Sequence, residues 1–237
     1  MKKLAIAITA VAAFTGSAIA ADMPVKAPVA APVVRAMSWT GCYVGVGGGY
    51  GMYNQDISAD TSDFFTGGGT ATVTLGGRGW FGTGQVGCDY QFAPQWVIGA
   101  FGDYDLSDIT GHVFDVNDEK LSSSWAVGGR VGYVIMPNLL GYVSGGYTQA
   151  HFDAITCAGC STNLIDAHTY SGWFLGSGYE YGLTWASPNL FWKTEYRFSS
   201  YNKDTLPVSC DGTCTLDSQK WVQTIRSALV WRFNFSH

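Results

Sequence analysis

The chain has 237 residues, 47% hydrophobic, 15% aromatic and only 13% charged, with 31 glycines and a formal net charge of -5. It is too apolar for a disordered chain, and too acidic for a binder that neutralises nucleic-acid phosphates, so no nucleic-acid partner is expected. Past the amino terminus, the longest uncharged stretch lies between Arg130 and Asp153. Pro137-Asn138 breaks it into two short segments, so it makes no membrane helix of about 20 residues.

Taken in chain order, residues 1–20 read as a secretory signal peptide. Lys2 and Lys3 form the basic start, 4–14 the apolar centre and Ala18-Ile19-Ala20 a small-x-small cleavage site. Residues 21–38 form a periplasmic leader with prolines at 24, 28 and 32, which fix φ and cannot feed a strand ladder. From 39 to 237 the period changes to two, the dyad pattern of a barrel strand.

Eight strand-sized blocks follow: 41–52, 79–92, 96–107, 123–135, 139–151, 168–182, 190–200 and 220–233. The last is the clearest. Trp221, Ile225, Leu229, Trp231 and Phe233 share one parity, and Thr224, Arg226, Ala228 and Arg232 the other. An arginine facing lipid at mid-membrane costs about 2–4 kcal/mol, so the arginine face belongs to the lumen. Trp80, Val86, Tyr90 and Phe92 oppose Thr83, Gln85 and Asp89 in the second block. Trp192, Tyr196 and Phe198 oppose Lys193, Glu195 and Arg197 in the seventh.

The connections alternate in length. Short proline turns at Ala93-Pro94-Gln95, Met136-Pro137-Asn138 and Ser187-Pro188-Asn189 separate long polar connections at 53–78, 108–122, 152–167 and 201–219. Outer-membrane barrels have short periplasmic turns and long outside loops, and the leader enters on the matching side. The fold class expected is therefore an all-β, eight-stranded antiparallel up-and-down transmembrane β-barrel in the cell outer membrane. A soluble barrel of eight strands would invert the parity. Low charge and aromatics at strand ends, Trp39 and Trp173 among them, favour the membrane form.

Several segments carry a resemblance. Ala21-Asp22-Met23-Pro24-Val25-Lys26-Ala27-Pro28, Trp39-Thr40-Gly41-Cys42-Tyr43-Val44-Gly45, Arg130-Val131-Gly132-Tyr133, Gly176-Ser177-Gly178-Tyr179-Glu180-Tyr181 and Glu195-Tyr196 resemble the small outer-membrane barrels of alphaproteobacteria. This is the immunogenic porin-family group, related to opacity-type surface antigens. The resemblance spans nearly the whole mature chain and implies an abundant envelope protein with structural and surface roles. Its implied partners are outer-membrane lipid and lipopolysaccharide, the barrel-assembly machinery, and host or environmental surface ligands; some relatives bind haem. The chain departs from the family at Cys42, usually aromatic, and at its end, where Asn234-Phe235-Ser236-His237 follows an assembly signal readable as 226–233.

Six cysteines in an oxidising compartment allow fifteen pairings, and locality favours Cys42 with Cys88, Cys157 with Cys160 and Cys210 with Cys214. A four-cysteine zinc site joining the two outside loops is the alternative. By parity the lumen holds Asp89, Asp103, Asp105, Arg130, Glu180, Lys193, Glu195, Arg197, Arg226 and Arg232. Such charges form paired structural cores. Eight strands leave an interior just wide enough for side chains to fill, so a narrow passive pore stands second to a filled scaffold.

An enzyme acting on lipid A would need a histidine with serine or acidic partners. His112, His151 and His168 lie near Asp108, Asp115, Asp153 and Asp166, without a GxSxG elbow. His151 and His168 are also the candidates for a haem ligand, on residue type alone. The glycine runs at 45–49 and 67–69 lack the lysine of a phosphate loop. No catalysis, cofactor or resident metal is expected.

Overall fold

The computed structural model describes residues 38–60, 70–112, 118–156, 163–209 and 213–234. The signal peptide, most of the leader, Cys157, Cys160, Cys210 and Asp115 lie outside these residues.

Eleven strands are present: β1 (Gly41–Asp60), β2 (Thr70–Ala93), β3 (Trp96–His112), β4 (Asp118–Met136), β5 (Leu139–Phe152), β6 (Ile155–Thr156), β7 (Asn163–Ile165), β8 (His168–Gly182), β9 (Leu190–Tyr201), β10 (Asp204–Ser209) and β11 (Thr213–Asn234). Eight of them, β1, β2, β3, β4, β5, β8, β9 and β11, pair with their neighbours in chain order, all antiparallel. β1 then pairs with β11 from Gly41 opposite Asn234 to Ala59 opposite Leu216, which closes the barrel and removes its edges. The short strands β6 and β7 pair with each other, and β10 adds to the outer part of β11.

Parity sorts the residues. Along β2, Trp80, Val86, Tyr90 and Phe92 are exposed, whereas Thr83, Gln85 and Asp89 are buried. On β11, Ile225, Leu229, Trp231 and Phe233 point out, and Thr224, Arg226 and Arg232 are buried. The outward aliphatic band is bordered by aromatics at both levels. Tyr50 packs edge-on against Trp80 on the long-loop side, and Trp96 against Tyr133 on the turn side. These are the two girdles of a membrane barrel.

The strands reach further outward than the sequence pattern does. β1 runs to Asp60 rather than 52, β2 starts at Thr70 rather than 79, β3 reaches His112, β4 starts at Asp118 and β11 at Thr213. The apolar parity stops where lipid stops, while the hydrogen-bonded ladder continues into water. Cys214 therefore lies on β11, opposite Val208 of β10, rather than in an irregular loop. On β4 a register shift between Leu121 and Ser123 reverses the parity. Glu119 and Leu121 are buried beyond it, and Ala126 and Arg130 before it. That bulge is why alternation is lost at residue 123 although the strand is not.

Trp39 corrects one assignment. It is fully buried, not part of a girdle. Preceding β1, it is not bound by the strand's pleat and turns under the barrel to pack on Phe191, with ring centroids 5.2 Å apart.

Candidate functional site

The lumen is where this chain concentrates its charge. Six acids (Asp89, Asp103, Asp105, Glu119, Glu180, Glu195) and six bases (Arg130, Lys193, Arg197, Lys220, Arg226, Arg232) are buried among the described residues. The two sets are equal in number, so the interior carries no net formal charge. Three of the bases, Lys220, Arg226 and Arg232, stand six residues apart on β11. At about 3.3 Å per residue each step climbs roughly 20 Å along the strand, and each base anchors a cluster at its own level.

The lowest cluster, nearest the short turns, is a ring of four. Arg130 donates from Nε to Asp89 Oδ1 at 2.8 Å and from Nη1 to Glu180 Oε2 at 3.1 Å. Arg232 donates from Nε to Glu180 Oε1 at 2.8 Å, and its Nη1 stands 2.8 Å from Asp89 Oδ2. Aromatic faces complete the shell. The Arg130 guanidinium lies 4.9 Å from the Tyr43 centroid and 5.0 Å from that of Tyr142. Such contacts favour a cation already removed from water.

The middle cluster centres on Asp103. Arg197 grips it with both terminal nitrogens at 2.9 and 2.8 Å, the bidentate geometry that guanidinium and carboxylate favour. Arg197 Nε donates to Glu195 Oε1 at 2.9 Å, and Arg226 reaches Asp103 at 3.2 Å and Asp105 at 3.0 Å. The Tyr142 hydroxyl donates to Glu195 Oε2 at 2.9 Å, and Lys193 donates to Gln85 Oε1 at 2.7 Å. In the top cluster, Lys220 donates to Gln55 Oε1 at 2.7 Å and to Glu119, with its ammonium 3.9 Å from the Phe152 ring centroid.

Apolar side chains pack around these clusters and against their cations. Trp39, Tyr43, Val97, Phe101, Leu140, Phe174, Phe191 and Val230 pack together on the turn side. Tyr53, Phe81, Ile109, Leu121, Phe152, Tyr170, Tyr201 and Val222 do so on the long-loop side. One internal space, lined by Asp103, Asp105, Ser124, Thr224 and Arg226, is about 10 Å³, room for a single water-sized sphere. Chemically this is a locked lattice in which each carboxylate meets a cation within the wall of the barrel.

His151 and His168, the two histidines with described side chains, do not converge. His151 is on β5 between the buried Ala150 and Phe152, hence on the outer face, where Nδ1 lies 2.9 Å from Thr169 Oγ1. His168 shares the inward parity of buried Tyr170 and pairs through Nε2 with Asp204 Oδ2 at 3.1 Å. The two rings are thus on opposite faces of one sheet. The acid that meets His168 comes from β10; Asp108 instead pairs with Lys120 at 2.8 Å. Among the described residues no group of three or more His, Cys, Asp or Glu is arranged to hold a metal ion.

Cys42 and Cys88 form a disulfide across β1 and β2, at directly opposed positions with Cα atoms 3.9 Å apart. The side chains of the other four cysteines lie outside the described residues.

A family model for the outer membrane protein beta-barrel domain matches residues 7–233. The 31 kDa outer-membrane immunogenic proteins of Brucella melitensis and Brucella suis are each 32% identical to this chain over 251 aligned residues, covering 98% of it and 100% of the relative. The chain belongs to the outer-membrane β-barrel family. Among solved structures, it is similar to OprG from Pseudomonas aeruginosa, with 14% identity over 82% of this chain and 97% of that one and a TM-score of 0.44. It is also similar to the Escherichia coli outer membrane protease OmpT, with 11% identity over 81% and 97% and a TM-score of 0.45.

As a family member, this barrel is a protein of the cell outer membrane. Two of its lumen charges escape the sequence pattern. Glu119 falls in a stretch that reads as loop, and Lys220 at the first residue of a block. The available signal was Lys220's shared parity with Arg226 and Arg232 on one strand.

Proposed function

We propose that this protein is a filled structural barrel that presents its outside loops at the cell surface and neither conducts solutes nor catalyses a reaction. The three charge-balanced levels of the lumen carry this reading. A pore needs an open polar path, and here such a path would have to pass side chains packed between the charges and break buried ion pairs that are costly to separate. Strands extended past the girdles lift the loops clear of the lipid, which suits display. The name of the Brucella relatives, immunogenic outer-membrane protein, fits a chain whose loops face outward.

The separation of His151, which meets Thr169, from His168, which meets Asp204 on the opposite face, supports a role without catalysis. We also propose export with cleavage after Ala20, residues 21–38 remaining as the periplasmic leader and 39–237 forming the barrel. Swelling assays on proteoliposomes with small sugars test the filled lumen. No swelling above protein-free vesicles is expected; size-dependent swelling would establish the passive pore instead.

A further inference from the structure

Above the lipid the described barrel gives way to an open sheet. β9 ends at Tyr201 and β3 at His112, whereas β10, β11, β1 and β2 stay paired further out, to Ser209 opposite Thr213, Ala59 opposite Leu216 and Asp60 opposite Thr70. An open sheet has two edges, and these two differ. On the β10 edge, Pro207 has no N–H to offer, Asp204 is paired with His168, and the short strand β7 lies alongside. Proline, charge and cover are the means by which edge strands are kept from pairing.

The β2 edge lacks these guards. Its outermost pairing with β3 is Arg78 opposite Thr110, so among the described residues 70–75 have a strand on one side only, β1. Their sequence, Thr70-Ala71-Thr72-Val73-Thr74-Leu75, carries no charge and no proline and is rich in strand formers. In an antiparallel ladder every second residue turns both its N–H and its C=O away from the partner strand, so about 20 Å of edge presents donors and acceptors. Thr74 Oγ1 donates to Asp56 Oδ1 at 2.8 Å and holds β1 and β2 together at this height. At the foot of the edge is a groove of about 450 Å³ lined by Asn54, Gly76, Arg78 and Thr110, with no carboxylate in its walls. Lys120 is held by Asp108 and Lys203 by Asp217, whereas exposed Arg78 makes no ion pair among the described residues.

We propose that this edge takes up an extended segment of a soluble partner protein as an added antiparallel strand, with an acidic residue at the segment's membrane-proximal end on Arg78. Backbone pairing selects an extended, uncharged run of about six residues, and the lone cation selects the carboxylate below it. A second copy suits the edge less well. Copies in one membrane stand the same way up and offer only a parallel strand, the less stable pairing. The inference rests on the display reading, since the edge must face outward; it does not depend on whether the lumen conducts.

Fluorescence anisotropy of an N-acetylated octapeptide labelled at its carboxyl end, Glu-Ser-Thr-Val-Thr-Val-Thr-Ser, titrated with the purified protein in nanodiscs, provides the test. Saturable one-to-one binding is expected. Methylating the backbone nitrogens of one alternate set of peptide residues should abolish it, and methylating the other set should leave it nearly intact, because only every second residue donates to the edge. Arg78→Ala should weaken binding about threefold, with heat-modifiable gel mobility showing that the variant folds. Replacing the peptide's Glu by Gln should weaken it as much on the unaltered protein and no further on the variant. Absent binding, equal effects of the two methylations, or affinity unchanged by Arg78→Ala would overturn the proposal. Self-association of the protein through this edge, displaced by the peptide, would do the same. A conducting lumen in the swelling assay would leave these results as they are, so the two proposals fail separately.

Discussion

Arg232 and Trp39 close the periplasmic mouth together. The guanidinium carbon lies 5.0 Å from the indole centroid, and Nη1 donates to the Trp39 carbonyl at 3.2 Å. A cation from the last strand thus holds the segment that enters the first, next to the seam where β1 meets β11. The same guanidinium neutralises Asp89 and Glu180, so mouth, seam and lowest charge cluster share one residue.

Removing that residue should be severe. Arg232→Ala leaves Asp89 and Glu180 facing Arg130 alone, and an uncompensated buried charge costs about 3–5 kcal/mol. Urea titration of the barrel folded in vesicles should show this loss. Adding Glu180→Gln should recover part of it, because the pair then loses both its charges.

The disulfide should stabilise the fold through the unfolded chain. Cys42 and Cys88 are 46 residues apart, and closing a loop of that size is worth about 4 kcal/mol in the chain-entropy model. Replacing both with serine should lower the urea midpoint, with heat-modifiable mobility retained. An unchanged midpoint would show that the bridge does not act in this way.

Two glycines on opposite faces should respond oppositely to alanine. At Gly49 an added Cβ would come within 2.2 Å of the Ile225 carbonyl oxygen and 2.6 Å of the Phe81 ring. The close approach of β11 and the inward Phe81 both depend on that missing side chain. Gly49→Ala should therefore destabilise the barrel, whereas Gly84→Ala should be neutral or stabilising by about 0.5–1 kcal/mol.

Acid should loosen the outer hairpin of β10 and β11 before the barrel. Hydrogen bonds from Lys203 and Thr205 hold the Asp217 carboxyl below the usual aspartate range. A depressed value means that the contribution is present above the unfolded pKa of about 3.9 and is lost as pH falls through the folded one. Hydrogen exchange over 204–209, read as an opening equilibrium corrected for the intrinsic pH dependence of exchange, should show more opening below about pH 4. Asp217→Asn should show the looser state at neutral pH.

The membrane-embedded part was legible because lipid enforces a strict rule on each strand. Arg226 opposed to Ile225, or Asp89 to Tyr90, reveals both faces at once. The outward extensions were not legible, since beyond the girdle both faces meet water and residues such as Asn54 and Thr74 carry no parity signal. Glu119 was hidden by the bulge after Leu121, which shifts the alternation by one. Trp39 was misassigned because it precedes the first strand and no pleat fixes its side. Partner choice in the lumen, such as Arg197 with Asp103 across 94 residues of sequence, follows from the closure of the barrel and not from local spacing.

Planar-bilayer recording of the purified, folded protein tests the central claim most directly. A lumen filled at three levels predicts a silent membrane, with no steady current steps above the protein-free baseline at moderate voltage. Reproducible unitary conductance that persists across preparations would contradict it.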